Sequence, residues 1–256
     1  MCNIPGVIRI AAAGDVHASE AIRDRLRDGF ERVETEADVV LLAGDLTTTG
    51  EVEQARVLAD ACSELSIPVF AVLGNHDWHA GQAAGIAEVL ENAGVRVLDR
   101  SWRTCRVAGL EFGVVGVKGF VGGFPGSLLP DFGEPLLRSV YAETTRDAEA
   151  IAHGLQEIVH CDLRVVLLHY SPVEATLVGE PEGIRVLLGS DRLATPIAEY
   201  GADLVLHGHA HAGALEGSIG QIPVYNVAVP VIGRDFWVIA LEGARGRTAA
   251  EVEGPV

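Results

Sequence analysis

The sequence predicts a single α/β domain over residues 1–256, and three observations support this fold class. In the N-terminal part of the chain, short apolar runs alternate with segments whose apolar residues recur at helical spacing. No linker-like stretch divides the chain into two parts. The chain has 256 residues, of which 48% are hydrophobic and 21% are charged, which is the composition of a globular protein that buries a core.

The first three apolar runs are predicted to be strands. They cover residues 7–13, 38–43 and 69–73 and consist mainly of Val, Ile, Leu and Ala. Residues 20–33 and 51–65 lie between these runs and are predicted to be helices. This order of strands and helices predicts a parallel sheet that is covered by helices.

The later part of the chain is predicted to be richer in strands. Residues 95–98, 102–107 and 110–117 are three apolar segments with short turns, which favours an antiparallel run. A stretch rich in Gly, Pro and Phe follows over residues 118–134, and a helix is predicted over residues 141–159. The remaining predicted strands are residues 164–168, 203–206, 222–227 and 235–241.

The charge of the chain disfavours one class of partner. Lys and Arg number 19 and Asp and Glu number 36, so the net charge is −17. A protein that follows a nucleic-acid backbone usually has a basic face, so we do not expect nucleic acid as a partner. No apolar run approaches the roughly 18 residues that indicate a membrane span, so no membrane association is expected.

The cysteines and the first residues indicate the compartment. Cys2, Cys62, Cys105 and Cys161 are far apart in sequence, so they match neither a thiolate zinc site nor a redox pair, and we expect small buried hydrophobic side chains. Residues 1–6 lack the basic and long apolar regions of a signal peptide. We therefore expect a cytoplasmic protein.

Polar residues of the types that commonly bind metals follow five of the predicted strands. Glycine directly precedes four of these endings, which allows sharp turns and close approach of other groups. In open α/β sheets, ligands bind just beyond the carboxyl ends of the strands. These side chains are therefore expected to meet at one site. The candidate metal ligands are Asp15, His17, Asp45, Asn75, His169, His209 and His211.

The types of these ligands indicate the metal. Two carboxylates, one amide and four imidazoles, without a thiolate, suit Mn²⁺, Fe²⁺ or Fe³⁺, Co²⁺ or Zn²⁺. Seven ligands are too many for one tetrahedral zinc ion, and they suit two divalent metal ions that share a carboxylate. Two ions about 3.5–4 Å apart can stabilise the attacking and leaving oxygens of a phosphoryl displacement.

Taken together, these residues resemble the calcineurin-like metallophosphoesterase superfamily. Its five motif blocks occur in the superfamily's order between residues 14 and 211, and the combination is specific although each block alone is weak. The resemblance implies an α/β fold of the metallophosphoesterase type, a two-sheet α/β sandwich with helices on the outer faces. It also implies two metal ions.

The resemblance assigns a role to each motif residue. It implies that Asp45 bridges the two ions. The expected terminal ligands are Asp15, His17 and His211 for the first ion, and Asn75, His169 and His209 for the second. His76 resembles the histidine that protonates the leaving group and contacts the phosphate, and Asp77 is expected to orient His76.

Three other polar residues are interpreted from their positions. His207 is expected to be a buried partner of the metal ligands, and Asn226 to be a turn residue or, less simply, to face the substrate. His79 is assigned either to the surface or to the rim of the substrate site.

The implied activity is hydrolysis of a small phosphate ester by direct attack of a metal-bridging hydroxide, without a phosphoenzyme. A phosphodiesterase is favoured over a phosphomonoesterase, since the His-x-His ending at His209 and His211 resembles small bacterial diesterases of the superfamily. The alternatives are a protein Ser/Thr phosphatase, a nuclease of the same superfamily, and a non-catalytic scaffold of the same fold. A homo-oligomer stays open. Residues 118–134 are interpreted either as a loop packed on its own domain or at a dimer contact, or as a lid over the metal site.

Overall fold

Two β-sheets pack face to face, and helices cover the outer face of each sheet. We describe a computed structural model, which covers residues 6–243. The arrangement confirms the two-sheet α/β sandwich, and its layers follow from the alternation of side chains along the strands. Cys2 lies outside the described residues, whereas Cys62 and Cys161 are buried and Cys105 is partly buried.

The strands are numbered β1 to β13 in chain order. They are β1 (Val7–Ala13), β2 (Val39–Ala43), β3 (Val69–Val72), β4 (Val95–Val97), β5 (Ser101–Val107), β6 (Leu110–Gly116), β7 (Gly123–Phe124), β8 (Ser127–Leu128), β9 (Leu163–Leu167), β10 (Leu204–His207), β11 (Glu216–Ile219), β12 (Ile222–Asn226) and β13 (Trp237–Glu242).

The helices are numbered α1 to α6 in chain order. They are α1 (Arg23–Glu36), α2 (Val52–Cys62), α3 (Ala83–Asn92), α4 (Pro135–Glu157), α5 (Ala194–Tyr200) and α6 (Val229–Ile232). Short 3₁₀ turns occupy Glu20–Ile22, His76–Trp78, Glu174–Leu177, Glu182–Leu187 and Asp191–Leu193. None of the helices in residues 6–243 has the length and apolar character that a bilayer span requires.

The first sheet has the strand order β13-β1-β2-β3-β4, and the second has the order β11-β12-β10-β9-β6-β5. In the first sheet, β1 to β4 are parallel and β13 is antiparallel to β1. In the second sheet, β6, β9, β10 and β12 are parallel, and antiparallel strands flank them. The parallel strands of each sheet therefore end at one edge.

The core lies in three layers because both faces of the central strands are buried. Ile10, Leu41 and Phe112 lie in the layer between the two sheets. The alternate residue Val40 packs with α1, α2 and α3 on the outside of the first sheet. Val166 packs with α4 and α5 on the outside of the second sheet. The fully apolar runs that predicted strands are thus strands with two buried faces.

The prediction of an antiparallel run over residues 95–117 is wrong for its first strand. Val95–Val97 pairs in parallel with β3 in the first sheet, and only β5 and β6 form an antiparallel pair, which lies in the second sheet. The reason is α3, which connects β3 to β4 and thereby makes a parallel crossover. Ala83, Ile86 and Leu90 recur at helical spacing and could have predicted this helix.

One helix starts earlier than the sequence predicts. The helix predicted over residues 141–159 begins earlier, at Pro135, where a proline is well tolerated in the first turn. The strand predicted over residues 235–241 is present as β13, and it pairs with β1 in the first sheet. Residues 118–134 contain the small β7–β8 hairpin.

Candidate metal centre

The candidate ligands lie where strands of both sheets end. Asp15 and Asp45 each follow the end of a strand of the first sheet by two residues, and Asn75 follows β3 by three. His169 and His209 each follow a strand of the second sheet by two residues. The face-to-face packing brings these strand ends together, so side chains far apart in sequence share one site.

The first group of donors contains Asp15, His17, Asp45 and His211. One potential ligand atom from each lies within 4.8 Å of the others. Asp15 and Asp45 are buried, with 3% and 1% of their surface exposed, whereas His211 is exposed. Asp15 Oδ1 lies 2.8 Å from His211 Nε2. Two buried carboxylates that face imidazoles form a suitable pocket for a dication.

The second group shares Asp45 with the first. Donor atoms of Asp45, His169 and His209 lie within 4.8 Å of one another. His169 Nε2 lies 2.8 Å from Asn75 Oδ1 and 3.3 Å from Asp45 Oδ1. All seven predicted ligands therefore gather in two adjoining groups, and their role as metal ligands stays a prediction.

The ligand loops adopt a backbone conformation that is costly for side-chain-bearing residues. Asp15, His17, Asp45 and His209 have φ angles of 56°, 47°, 48° and 69°. Left-handed backbone is uncommon outside glycine, and such residues cluster at functional sites because the surrounding fold holds them there. This conformation points four of the seven candidate ligands into the site.

Glycines before the ligands permit the loops to touch. A Cβ atom on Gly74 would collide with the backbone nitrogen and Oδ1 of Asp45. A Cβ atom on Gly44, whose φ is +81°, would lie 2.5 Å from Nδ1 of His169. The expectation that glycine allows close approach is therefore met at both positions.

Hydrogen bonds between loops fix the carboxylates. Asp45 Oδ1 accepts a hydrogen bond of 2.8 Å from the backbone N–H of His76. Asp15 Oδ2 accepts one of 2.8 Å from the backbone N–H of His209, which belongs to the other sheet. Nδ1 of His169 lies 2.9 Å from the carbonyl oxygen of Ala43, so Nε2 faces the donor groups.

The electrostatics of the site suit cation binding. Burial by itself would raise the pKa of Asp15, but the hydrogen bond from His211 and nearby imidazoles outweigh it and lower that pKa. The hydrogen bond to Asp15 raises the pKa of His211. Burial lowers the pKa of His209 to about 3, which keeps that imidazole neutral. The ionised Asp15 carboxylate and the neutral imidazole of His209 are ligand types that suit manganese, iron or zinc.

His76 lies beside the donor groups without belonging to either. Its Nδ1 lies 2.8 Å from the carbonyl oxygen of Thr48, an acceptor, so Nδ1 carries a proton. Its Nε2 lies 3.8 Å from Asp45 Oδ2, and about a third of the side chain is exposed. The ring centroid of His79 lies 4.4 Å from that of His76, which places His79 at the rim of the site.

The Asp77 carboxylate, which is expected to orient His76, bonds to neighbouring loops and not to the His76 ring. It accepts hydrogen bonds from the backbone N–H groups of Leu46, Thr47 and Gly74, and from the Thr47 hydroxyl at 2.6 Å. Burial nevertheless raises its pKa. Asp77 bonds to Thr47, and the carbonyl oxygen of the next residue, Thr48, contacts the His76 ring. The orienting role of Asp77 stays a prediction.

Sequence reasoning missed several residues around the site. Thr48 also donates from its hydroxyl to the carbonyl oxygen of His17 at 2.9 Å, so it joins two ligand loops. Tyr170 is buried with its ring centroid 4.3 Å from that of His209. Tyr170 directly follows the candidate ligand His169 in sequence, and this position could have predicted that Tyr170 lies beside the site. Backbone contacts such as that of Thr48 leave no signal in residue type.

The two buried residues behind the last ligands hold the loop. His207 is fully buried, as expected, and its Nε2 lies 2.9 Å from the Thr176 hydroxyl. Burial lowers its pKa to about 4. Asn226 is also buried and donates from Nδ2 to the carbonyl oxygen of Ala210 at 2.7 Å. Asn226 thereby fixes the segment between His209 and His211.

Comparison with known proteins identifies one matching family. A family model described as calcineurin-like phosphoesterase matches residues 8–213. No curated protein matches the chain. The described residues that match contain all seven candidate ligands, His76 and Asp77.

Several solved structures share the fold. The phosphopantetheinyl hydrolase from Mycobacterium tuberculosis has 12% identity and a TM-score of 0.62, covering 92% of this chain and 97% of that chain. The protein TT1561 of Thermus thermophilus has 20% identity and a TM-score of 0.50, and the match covers 86% of this chain and 88% of that chain. GAP50, the anchor in the inner membrane complex of Plasmodium, has 14% identity and a TM-score of 0.56, covering 88% and 72%.

Proposed function

The chain belongs to the calcineurin-like phosphoesterase family, and we propose that it is a two-metal phosphoesterase that favours small phosphodiesters over phosphomonoesters. The family and the two donor groups support metal-dependent hydrolysis of a phosphate ester. The observation that carries the two-metal proposal is that Asp45 belongs to both groups. A carboxylate that reaches two donor groups can bridge two ions.

The remaining ligands divide between the two proposed ions. One ion would bind Asp15, His17 and His211, and the other would bind Asn75, His169 and His209. Imidazoles combined with carboxylates favour manganese, iron or zinc. When bound, such ions supply Lewis acidity towards the phosphoryl oxygens and lower the pKa of water towards neutrality.

His76 is proposed as the general acid. Its Nδ1–H donates to the Thr48 carbonyl oxygen, so a second proton would reside on Nε2, the atom that faces the donor groups. That proton would pass from Nε2 to the departing oxygen as the ester bond breaks. Asp77 would keep the Thr47–Thr48 loop, and through it the imidazole, in place.

The preference for diesters is supported by the His-x-His ending, which resembles small diesterases of the superfamily. A nuclease is disfavoured by the net charge of −17, because a phosphate backbone needs a basic surface. A protein Ser/Thr phosphatase would require a broad groove beside the metal centre. A single domain, a cytoplasmic location and a homo-oligomer stay predictions.

A non-catalytic scaffold is the second candidate, because a protein of similar fold is described as the anchor in the inner membrane complex of Plasmodium. The convergence of every predicted ligand argues against this candidate. A chain that had kept only the fold would have no need for two buried carboxylates in costly left-handed backbone.

The test combines metal analysis with a panel of substrates. The protein is loaded with Mn²⁺, its bound metal is counted, and kcat/KM is measured for bis-nitrophenyl phosphate, nitrophenyl phosphate, cyclic nucleotides and single-stranded DNA. We expect two ions per chain and the highest kcat/KM for a small diester. Metal-loaded protein that hydrolyses none of these would support the scaffold instead.

A further inference from the structure

Several large apolar side chains stay exposed on segments that contact the loop of the last two candidate ligands. Ten large apolar side chains are exposed in residues 6–243. They are Trp78, Leu128, Phe132, Leu136, Leu137, Val159, Val178, Ile184, Leu187 and Val238. Single exposed apolar residues are ordinary, but a localised set marks a binding surface.

Four of these side chains lie on segments that touch the loop of the last two ligands, and we call them the apolar rim. They are Leu128, Val178, Ile184 and Leu187, with exposed fractions of 54%, 62%, 40% and 54%. The carbonyl oxygen of Leu187 lies 3.3 Å from His209 Nε2. The apolar rim therefore begins beside a candidate metal ligand.

The second contact of the apolar rim lies beside His211. Gly179, which follows Val178, packs so closely on the Ala212 carbonyl oxygen that a Cβ atom would collide with it. The side chain of Glu180 accepts a hydrogen bond of 2.7 Å from the backbone N–H of Ala212. Val178 is thus fixed next to the ligand loop while its own side chain faces solvent.

The β7–β8 hairpin brings Leu128 to the same border. The backbone N–H of Gly123 donates to the Gly189 carbonyl oxygen at 2.8 Å, and β8 packs against residues 182–187. Phe124 is buried against Leu188 and Ala210, and Ala210 separates the two ligands of the His-x-His ending. The apolar rim is therefore anchored by buried contacts and exposed on its outer side.

Charge limits what this surface can bind. The chain carries a net charge of −17, so the bulk of its surface repels an anionic bilayer. A substrate that joins a phosphate to an alkyl or acyl chain needs two features. One is a cation site for the phosphate. The other is an adjoining apolar surface, which here begins at Leu187, whose carbonyl oxygen lies 3.3 Å from His209 Nε2.

We propose that the substrate is an amphiphilic phosphodiester, whose alkyl or acyl chain lies along the apolar rim while its phosphate occupies the metal centre. This inference rests on the proposed phosphodiesterase function and names its substrate class. Burial of the alkyl or acyl chain on the apolar rim would contribute to the binding free energy in proportion to the apolar area removed from water.

The test uses nitrophenyl alkyl phosphodiesters that differ only in the alkyl chain, from methyl to octyl, below the concentration at which they form micelles. Because the nitrophenol leaving group is constant, any change in kcat/KM reports on contacts of the alkyl chain of the substrate. We expect kcat/KM to rise about tenfold from methyl to octyl, well under the roughly fourfold per methylene that complete burial allows. Calorimetric binding of octylphosphonate and methylphosphonate gives the same comparison without turnover.

The variants Leu128→Ser and Ile184→Ser should each reduce the ratio of kcat/KM for the octyl ester to kcat/KM for the methyl ester about threefold, since each removes part of the surface that covers the alkyl chain. The controls are Val159→Ser and Val238→Ser, which remove exposed apolar side chains outside the apolar rim. These two controls should leave the ratio at its original value. Thermal unfolding of each variant checks that the fold is intact.

Three results would overturn the inference in distinguishable ways. Hydrolysis of all esters with equal kcat/KM would leave the phosphodiesterase standing and remove the amphiphilic substrate. A dimer that Leu128→Ser dissociates, without any dependence on chain length, would assign the apolar rim to a second copy of the chain. If the metal-loaded protein hydrolyses no ester at all, the proposed function fails, and the substrate class fails with it.

Discussion

The ligand loops and the apolar rim border the same site but are built in opposite ways. The ligand loops place charged groups such as Asp15 and Asp45 in nearly full burial, in left-handed backbone and with hydrogen bonds to both carboxylates. The apolar rim places large apolar groups such as Leu187 in solvent. Each arrangement is unfavourable in isolation, which supports the proposals that the first region binds cations and that the second binds the apolar part of a substrate.

This difference teaches where stability and function are coupled. Changing a ligand loop should alter metal content, rate and folding together, because the buried carboxylates proposed to bind the metal ions also join the loops by hydrogen bonds. Changing the outer side of the apolar rim should alter substrate choice alone. Four substitutions test this contrast, in order of decreasing expected effect.

Asp45→Asn should have the largest effect. The amide cannot bridge two cations as a carboxylate does, so we expect metal content to fall from two ions to less than one and kcat/KM to fall roughly a thousandfold. Metal analysis after gel filtration and steady-state kinetics measure both. Asp28→Asn, which changes an exposed carboxylate on α1, is the control. Retention of two ions with unchanged affinity would exclude Asp45 as the bridge.

His76→Ala should lower the rate of hydrolysis and leave the metal content unchanged. Loss of a general acid costs roughly a hundredfold or more when the leaving group is a poor one such as an alkyl alcohol, and much less for nitrophenol, which departs without a proton. Metal analysis and kcat for the two ester types, compared side by side, give the measurement. Equal losses for both leaving groups would argue against His76 as the proton donor.

Thr47→Val should have a smaller effect of the same kind. It removes the 2.6 Å hydrogen bond from the hydroxyl to Asp77 and the 3.2 Å hydrogen bond that the hydroxyl accepts from the Gly50 N–H, and it leaves the bond from the Thr47 backbone N–H to Asp77. We expect kcat for alkyl leaving groups to fall about tenfold and the free energy of unfolding to fall by about 1–2 kcal/mol. Thr49→Val, an exposed threonine in the same loop, is the control. A loss of stability without a dependence on the leaving group would show that Thr47 does not position His76.

Ile184→Ser should have the smallest effect on stability. Its side chain is 40% exposed, so the free energy of unfolding should change by no more than about 0.5 kcal/mol. Leu188→Ala, four residues later but buried to 7% exposure, should cost about 2–5 kcal/mol. Urea unfolding compares the two. Similar losses would mean that the outer side of the apolar rim is part of the core, and the contrast between the two regions would fail.

The order of the first elements could be predicted from sequence because both faces of each central strand are buried. Uninterrupted apolar runs such as that of β2 therefore identify strands, and the intervening helices make them parallel. The sequence prediction is wrong for β4, because it omits α3, the helix that makes the connection from β3 to β4 parallel. The return of β13 to the first sheet could not be predicted, since strand partners depend on contacts between distant parts of the chain.

The sequence by itself determined the fold family and which side chains are candidate ligands, because residue type and position at a strand end are local properties that residue identities and spacing record. Only the tertiary structure decided that the Asp77 carboxylate bonds to the Thr47 loop instead of the His76 ring. It alone also decided which apolar side chains stay in solvent beside the ligands. Hydrogen-bond partners and exposure arise when segments far apart in sequence pack together, so no single segment encodes them.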